Sequence, residues 1–396
     1  MKSPIPEYLA TVLRDCGDLD DGAIPEGNIE LERADPDFFA VALATVGGSV
    51  HTAGDADAEF SIQSIAKALT YALAIDDNGR DTMLGVVDVE PSGDSFNEIS
   101  LEPDTGRPRN ALINAGALAV HSMVKAESAA ERVDRIRALH STLAGRILSI
   151  DEAVHRAEMA SDDRNTGIAH LLKAVGILGA DPGEVVEGYS GQCSISVSCR
   201  DLATIAAVMA NGGISPSTGK RVLDVGTNRH VLATMATCGM YDGSGNWMST
   251  VGIPAKSGVA GAIIGVLPGQ VGIAVVSPRL NEHGNSVRGV AVFERLSRDL
   301  ELHMMHVSPT GQSAIRAIGE EEGSTSIDLQ GDLRFAGAES VIVRLTEGFP
   351  EHHTIVFDLE HVRAVDDAAR GLLRQAFERL REDGHEVEVR DPHELM

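Results

Sequence analysis

A serine and a lysine stand one helical turn apart at the head of an apolar helical stripe, and this combination constrains the fold most. Ser64 and Lys67 occupy positions i and i+3, which share one face of an α-helix. The apolar positions behind them are Ile65, Leu69, Ala72, Leu73 and Ile75. The stripe stops at Asn78 and Gly79, so the pattern predicts a buried helix that starts at Ser64.

The same pair suggests a serine nucleophile with a lysine as its base. A serine hydroxyl is a weak nucleophile until a base removes its proton, and a desolvated lysine can be that base. The N-terminus of the helix carries the positive end of the helix dipole and has free N–H groups. Both would stabilise an oxyanion that forms there. The alternative is a serine that only caps the helix, because Ser-x-x-Lys also occurs at Ser122/Lys125 on an expected helix and at Ser217/Lys220 in an expected turn.

The charge balance excludes some partners. The chain has 59 acidic and 33 basic residues, a net charge of −26. Such a surface repels phosphate backbones, so we expect neither nucleic acid nor an anionic membrane as a partner. Only six of the basic residues are lysines, which draws attention to Lys67 and Lys256 in their apolar surroundings.

Metal and cofactor motifs are missing from the sequence. Neither the four cysteines (16, 193, 199 and 238) nor the 14 histidines have the spacing of a metal site or a disulfide framework. Without a Gly-rich phosphate loop, we expect no cofactor and no metal. Residues 1–7 contain no apolar stretch typical of a signal peptide, which favours a cytoplasmic protein.

The distribution of strands and helices predicts two domains. Residues 39–46 are expected to form a strand before a Gly-Gly turn, and 129–176 to be almost wholly helical. The apolar run 259–276 is interrupted by glycines and Pro268, so it is read as two paired strands and not as a membrane span. A sheet built from both chain ends with helices between them predicts an α/β (α+β) layered enzyme over 1–305.

The end of the chain has a different pattern. Residues 306–324 are linker-like, and 325–396 are expected to form a small mixed α/β domain. Its expected elements are strands at 326–329, 354–359 and 386–389 and a helix at 368–381.

Three further segments offer partners for Ser64. Lys256, Ser257 and Gly258 open an expected strand whose N–H groups can face a reacting carbonyl. Tyr241 lies in a loop that contains glycines, and Asn114 interrupts an apolar run of small residues. Such an asparagine is either a satisfied core amide or a group that holds a ligand.

With these segments, the chain from about Tyr8 to Leu302 resembles the serine-dependent, β-lactamase-like glutaminases. Further segments that carry the resemblance are HTAGD at 51–55, EPSG at 90–93, RN at 164–165, QCS at 192–194, CRDLA at 199–203, ANGG at 210–213 and GNSVRG at 284–289. The resemblance implies a β-lactamase/transpeptidase-like sheet flanked by helices, a helical subdomain and a homo-oligomer.

The resemblance also implies a role for each matching residue. Ser64 would attack the side-chain amide of L-glutamine, with Lys67 as base and Tyr241 as the proton donor to the departing amine. The N–H groups of Ser64 and Val259 would form the oxyanion hole. The substrate-binding positions are Gln63, Ser64, Asn114, Glu158, Asn165, Tyr189, Tyr241 and Val259. Glu158 and Asn165, seven residues apart, are expected on one face of a single helix.

The chain departs from the family pattern. Gly27 stands where the family usually carries a tyrosine that reaches into the active site. Loss of a well-placed donor costs roughly 2–4 kcal/mol, so turnover would fall unless another group replaces the phenol. Ala66 and Ala111 also replace the usual serine and proline, and both changes are expected to be structurally mild.

The tail from about Ser324 resembles a STAS domain, the fold of anti-sigma-factor antagonists. The matching segments are LQGDL at 329–333, DLEHV at 358–362 and VDDA at 365–368. The serine that is phosphorylated in switchable members is Ala368 here, which argues against a phosphoserine switch. A protein-interaction or assembly module remains the expectation.

Three hypotheses follow. The first is a glutaminase. The second is a glutamine-binding sensor that has lost turnover through Gly27 and signals through the tail. The third is a related serine acyl-transferase, such as a β-lactamase or peptidase. A bulky lactam would leave the Glu158 carboxylate buried and unpaired, which argues against this hypothesis.

Overall fold

The structure is a computed structural model that describes residues 3–26, 28–93, 100–306, 313–321, 323–347 and 353–396. The chain divides into two compact units, Met1–His306 and Val307–Met396. The helices of the first unit are α1 (Ile5–Cys16), α2 (Ile29–Glu32), α3 (Ala66–Asn78), α4 (Arg80–Leu84), α5 (Asn114–Met123), α6 (Ala129–Ala144), α7 (Glu152–Ala160), α8 (Asp163–Ala174), α9 (Pro182–Cys193), α10 (Cys199–Ala210), α11 (Val225–Cys238), α12 (Ser244–Thr250) and α13 (Val287–Asp299). Its strands are β1 (Ala40–Thr45), β2 (Val50–Gly54), β3 (Glu59–Ser61), β4 (Ser196–Ser198), β5 (Ala255–Gly258), β6 (Ala262–Leu267) and β7 (Val271–Val276).

The central sheet joins both ends of the first unit. Its order is β2-β1-β7-β6-β5, and every neighbouring pair is antiparallel. Strands β6 and β7 are buried along their whole length, because helices cover both faces of the sheet. Alternate side chains enter different cores: Ile264 packs into the cluster that contains α10, and Ile263 into the cluster that contains α1 and α13. This period of two follows from the pleat of a strand.

Helix α3 runs through the larger core, as its apolar stripe predicted. Nine of its residues, Lys67 among them, are buried. A 3₁₀ turn, Gln63–Ile65, leads into it. The helix ends at Gly79, whose φ of +84° suits a residue without a side chain. The serine and the lysine therefore lie at the buried end of a core helix.

The second unit contains β8 (Ile315–Glu321), β9 (Ser324–Leu333), α14 (Phe335–Glu347), β10 (Thr354–Val365), α15 (Asp367–Glu382) and β11 (Glu386–Arg390). Its sheet has the order β11-β10-β9-β8, with β8 antiparallel to β9 and the other pairs parallel. The mixed α/β fold class expected from the sequence is confirmed in both units.

One expectation about this unit was wrong. The sequence pattern predicted a linker over 306–324, whereas 315–321 form β8. The strand lies at the edge of the sheet, and its pairs with β9 include an irregularity near Ile315. An edge strand that contains Gly319 and charged residues lacks the apolar signal by which a central strand is identified.

Across the residues that the structure describes, none of the helices combines the length and the apolar character needed to cross a membrane.

Two helical glycines allow a matched test of packing in the first unit. A Cβ added to buried Gly116 on α5 would lie 1.8 Å from the carbonyl oxygen of Asn110, whereas one added to Gly167 on α8 would meet nothing within 4 Å. We expect Gly116→Ala to lower the free energy of unfolding by about 1–3 kcal/mol or more. Gly167→Ala should raise it by up to about 1 kcal/mol, because alanine is the better helix former.

Thermal unfolding of both variants beside the parent protein measures the difference. A Gly116→Ala protein that melts at the parental temperature would contradict the close approach of α5 to the Asn110 backbone.

Candidate active site

Ser64 lies in the 3₁₀ turn at the start of α3 and is buried, with 6% of its surface exposed. The residue before it, Gln63, has a φ of +51°, a conformation that costs energy for any residue with a side chain. The end of β5 packs against this turn, since a Cβ on Gly258 would lie 3.2 Å from the Ile62 carbonyl oxygen. Val259, the next residue, therefore lies beside Ser64, and both line one cavity.

The Lys67 amine is enclosed beneath that cavity. The side chain is 1% exposed, and its Nζ donates a hydrogen bond of 2.7 Å to Oδ1 of Asn114. Burial lowers the pKa of Lys67 to about 8, because an ammonium ion loses its hydration there. About a tenth of the amine is therefore uncharged at pH 7 and can accept a proton.

Tyr241 contacts the serine from another side. Its side chain hydrogen-bonds Ser64, and its hydroxyl donates to the Ser257 carbonyl at 3.1 Å. Burial raises the pKa of Tyr241 well above its usual value, so the phenol keeps its proton. Like Gln63, Tyr241 has a positive φ, 57°.

A second buried amine supports Tyr241. Lys256 is completely buried, its Nζ donates to the Ser257 carbonyl at 2.6 Å, and it lies 4.3 Å from the centre of the Tyr241 ring. Burial, with a further contribution from the Lys67 charge, lowers the pKa of Lys256 well below its usual value. The uncharged amine can pack against the phenol ring.

The predicted substrate residues surround a cavity of about 260 Å³. Those in its wall are Gln63, Ser64, Asn114, Glu158, Asn165, Tyr189 and Val259. Tyr241 lines a different cavity, of about 500 Å³. The smaller cavity is below the usual range for drug-sized ligands, which favours a small polar molecule.

Glu158 is held by two amide donors. Its Oε1 accepts from Nε2 of Gln63 at 3.0 Å and from Nδ2 of Asn28 at 2.7 Å. Asn28 is buried and also caps α2 through the N–H of Glu30. The two bonds fix the carboxylate at the wall of the cavity, where it can pair with a cationic group.

A chain of amides leads from Lys67 in the other direction. Nδ2 of Asn114 donates to Oδ1 of Asn165 at 3.0 Å, and Nδ2 of Asn165 donates to Oδ1 of Asp162. Asp162 is buried and lines the cavity. Burial raises the pKa of its carboxyl to about 6, and the nearby Glu158 charge acts in the same direction.

The expectation that Glu158 and Asn165 share one helix was wrong. Glu158 lies on α7, which ends at Ala160, and Asn165 lies on α8, which begins at Asp163. The break between the helices turns both side chains towards the same cavity, and it also brings Asp162 there.

Sequence reasoning missed Asn28 and Asp162. Each stands before a helix with a spacing typical of an N-cap, so the available signal indicated a structural role. Gly27, the position of the missing tyrosine, lies outside the described residues, but Pro25, Glu26 and Asn28 line the cavity. Among the described residues, no group of three His, Cys, Asp or Glu side chains could hold a metal ion.

Two family models together match most of the chain. The family model described as Glutaminase matches residues 22–305, and the STAS domain model matches 317–395. A glutaminase of Corynebacterium glutamicum is 44% identical over 395 residues, which are 99% of this chain and 95% of that protein. A glutaminase of Trichormus variabilis is 42% identical over 303 residues, 76% of this chain and 91% of its own.

Solved structures agree with the sequence matches. The crystal structure of Mglu in its tris and glutamate form superposes with a TM-score of 0.94 at 41% identity, covering 100% of this chain and 99% of that chain. A probable glutaminase of Bacillus subtilis has a TM-score of 0.72 at 30% identity and covers 76% of this chain and 98% of its own.

Proposed function

Because the chain belongs to the glutaminase family, we propose that it hydrolyses L-glutamine to L-glutamate and ammonia through an ester on Ser64. The chain is an amidohydrolase, and the residue roles are part of the proposal. One observation carries it: a buried serine lies one turn from a lysine with a lowered pKa, at the edge of a small polar cavity.

Acylation needs a base, an oxyanion hole and a proton donor. The uncharged Lys67 amine takes the Ser64 proton as the oxygen attacks the side-chain amide carbon of glutamine. The N–H groups of Ser64 and Val259 stabilise the oxyanion. The C–N bond then breaks, and Tyr241 supplies the proton with which ammonia departs. The Lys67 ammonium then returns a proton to Tyr241. Water hydrolyses the glutamyl ester, and one of its protons passes to the Ser64 oxygen and regenerates the serine.

The cavity wall supplies complementary groups for a free amino acid. The carboxylate of Glu158 pairs with the α-ammonium group. The amides of Asn114 and Asn165 and the phenol of Tyr189 bind the α-carboxylate as donors. Gln63 joins the two parts of the site, because it precedes Ser64 and donates to Glu158.

The other two hypotheses have less support. Full-length relatives are named glutaminases, and nothing in the comparisons supports a glutamine-binding sensor. A lactam or peptide without an ammonium group would leave the fixed Glu158 carboxylate unpaired.

We further propose a cytoplasmic homo-oligomer in which the tail is an interaction module. Buried free thiols at 16, 193, 199 and 238 fit a reducing compartment. The division at His306 and the family matches that end at 305 and begin at 317 support separate domains. The helix that begins at Asp367 offers alanine and not serine at 368, so partner binding by the tail does not require phosphorylation there.

Ammonia release tests the reaction. The purified protein should release ammonia and glutamate from L-glutamine in equal amounts, and Ser64→Ala should reduce turnover by about 10³-fold or more. A coupled glutamate assay and a separate ammonia assay give the stoichiometry. Release by the parent protein at the level of the Ser64→Ala control would rule out the reaction.

The pH dependence tests the base. Lys67 acts in its uncharged form, and its lowered pKa of about 8 means that this form increases as pH rises. We expect kcat/KM to rise about tenfold per pH unit below about pH 7 and to level off above about pH 9. Lys67→Arg should be inactive across this range because a guanidinium stays charged. A flat profile in the parent protein would exclude Lys67 as the titrating base.

The Asn28 contact tests how the substrate head is held. Asn28→Ala removes the donor to Glu158 and should raise KM about five- to tenfold, as expected for one lost hydrogen bond to a charged group. Asn28→Asp keeps a capping oxygen for α2 but places a second carboxylate against Glu158, so KM should rise at least as much. Parental KM in Asn28→Asp would mean that Asn28 acts only as a helix cap.

A further inference from the structure

Asp162 stands at the N-cap of α8 but does not cap the helix. Its side chain makes no hydrogen bond to a backbone N–H of the first turn, although aspartate is among the best capping residues. Its carboxylate instead accepts from the side-chain amide of Asn165. The helices on either side differ: Asp151 caps α7 and Asp181 caps α9 through their carboxylates. The buried Asp162 carboxylate thus binds a side chain of the cavity wall and does not cap the helix.

An ionised carboxylate can only accept hydrogen bonds, and this property gives the amide chain a direction. Asn165 must turn Nδ2 towards Asp162, which leaves its Oδ1 to accept from Asn114 at 3.0 Å. Asn114 then presents its own Oδ1 to the Lys67 amine at 2.7 Å. Each amide would otherwise have two orientations of similar shape.

The direction matters for a lysine that acts as a base. When Lys67 donates to the Asn114 oxygen, the lone pair of the uncharged amine stays available for the Ser64 proton. A reversed Asn114 would donate its own N–H to that lone pair and compete with the serine.

We propose that Asp162 is a positioning residue that fixes the orientation of the Asn165 and Asn114 amides, so that the Lys67 amine always faces Oδ1 of Asn114. The inference rests on the proposed function and adds a residue to it. The groups that face Asp162 are Glu158 on α7, Asp163 on α8, and Tyr189 and Cys193 on α9. The raised pKa of about 6 still leaves the carboxyl mostly ionised at neutral pH.

Three substitutions separate the acceptor from the charge. Asp162→Gly removes the acceptor at a position where glycine is tolerated as an N-cap. Asp162→Asn removes the charge but keeps an oxygen that can accept from Asn165. Asp163→Ala removes one negative charge from an exposed side chain of the same helix and is the matched control.

We expect Asp162→Gly to reduce kcat/KM for L-glutamine about tenfold. Asp162→Asn should lose less than Asp162→Gly, because its amide can accept from Asn165 but, unlike a carboxylate, can also donate. Asp163→Ala should match the parent protein. If Asp162→Gly folds poorly, Asp162→Ala gives a second protein without the acceptor. Parental kcat/KM in a folded protein without the acceptor would overturn the proposal.

A titration of the Lys67 amine by nuclear magnetic resonance gives a readout that does not depend on turnover. Protein labelled with ¹⁵N at the lysine Nζ contains six labelled amines, and Lys67→Arg assigns the signal. The pKa of Lys67 should fall in Asp162→Gly, because the ammonium form loses a fixed oxygen acceptor, and should fall less in Asp162→Asn, whose amide can still accept from Asn165. An unchanged pKa in Asp162→Gly would overturn the amide order. If the parent protein releases no ammonia, the proposed function fails, and this titration still decides the role of Asp162.

Discussion

The burial of one amine is the constraint on which the active site depends. Lys67 is enclosed by the core helices of the first unit with 1% of its surface exposed. In water the amine would remain protonated far above neutral pH and could not act as a base. Burial removes hydration from the ammonium form, and the hydrogen bond to the Asn114 oxygen replaces part of it. The apolar stripe of α3 is therefore part of the chemistry as well as of the fold.

A second buried amine, that of Lys256 beside Tyr241, follows the same principle. Lys256 and the Tyr241 hydroxyl both donate to the Ser257 carbonyl. Two ammonium ions so close together in an apolar core would repel each other, and the Lys67 charge indeed lowers the pKa of Lys256. The Tyr241 side chain also hydrogen-bonds Ser64, so the Ser257 carbonyl holds the phenol against the nucleophile. The strand that carries Lys256 thus determines how the phenol meets the serine.

The sequence predicted those parts of the structure that have a periodic signal. The stripe behind Ser64 predicted α3, and the glycines within 259–276 predicted the β6–β7 hairpin. The resemblance to glutaminases brought together side chains from α5, α7 and α8 that no local pattern connects. It could not supply the helix break at Asp162 or the Asn28 contact, because both residues look like ordinary N-caps. Whether a capping residue turns towards a helix or a cavity depends on tertiary packing.

Backbone strain next to Ser64 links nucleophile and substrate site. Four non-glycine residues in the described part of the chain have a positive φ, and two of them, Gln63 and Tyr241, contact or adjoin Ser64. Each such conformation costs of order 1 kcal/mol or more and persists only where surrounding contacts hold it. For Gln63 these contacts are Ser61 and Glu158. The carboxylate proposed to bind the substrate ammonium thus also stabilises the turn that orients the nucleophile, so the two functions depend on one side chain.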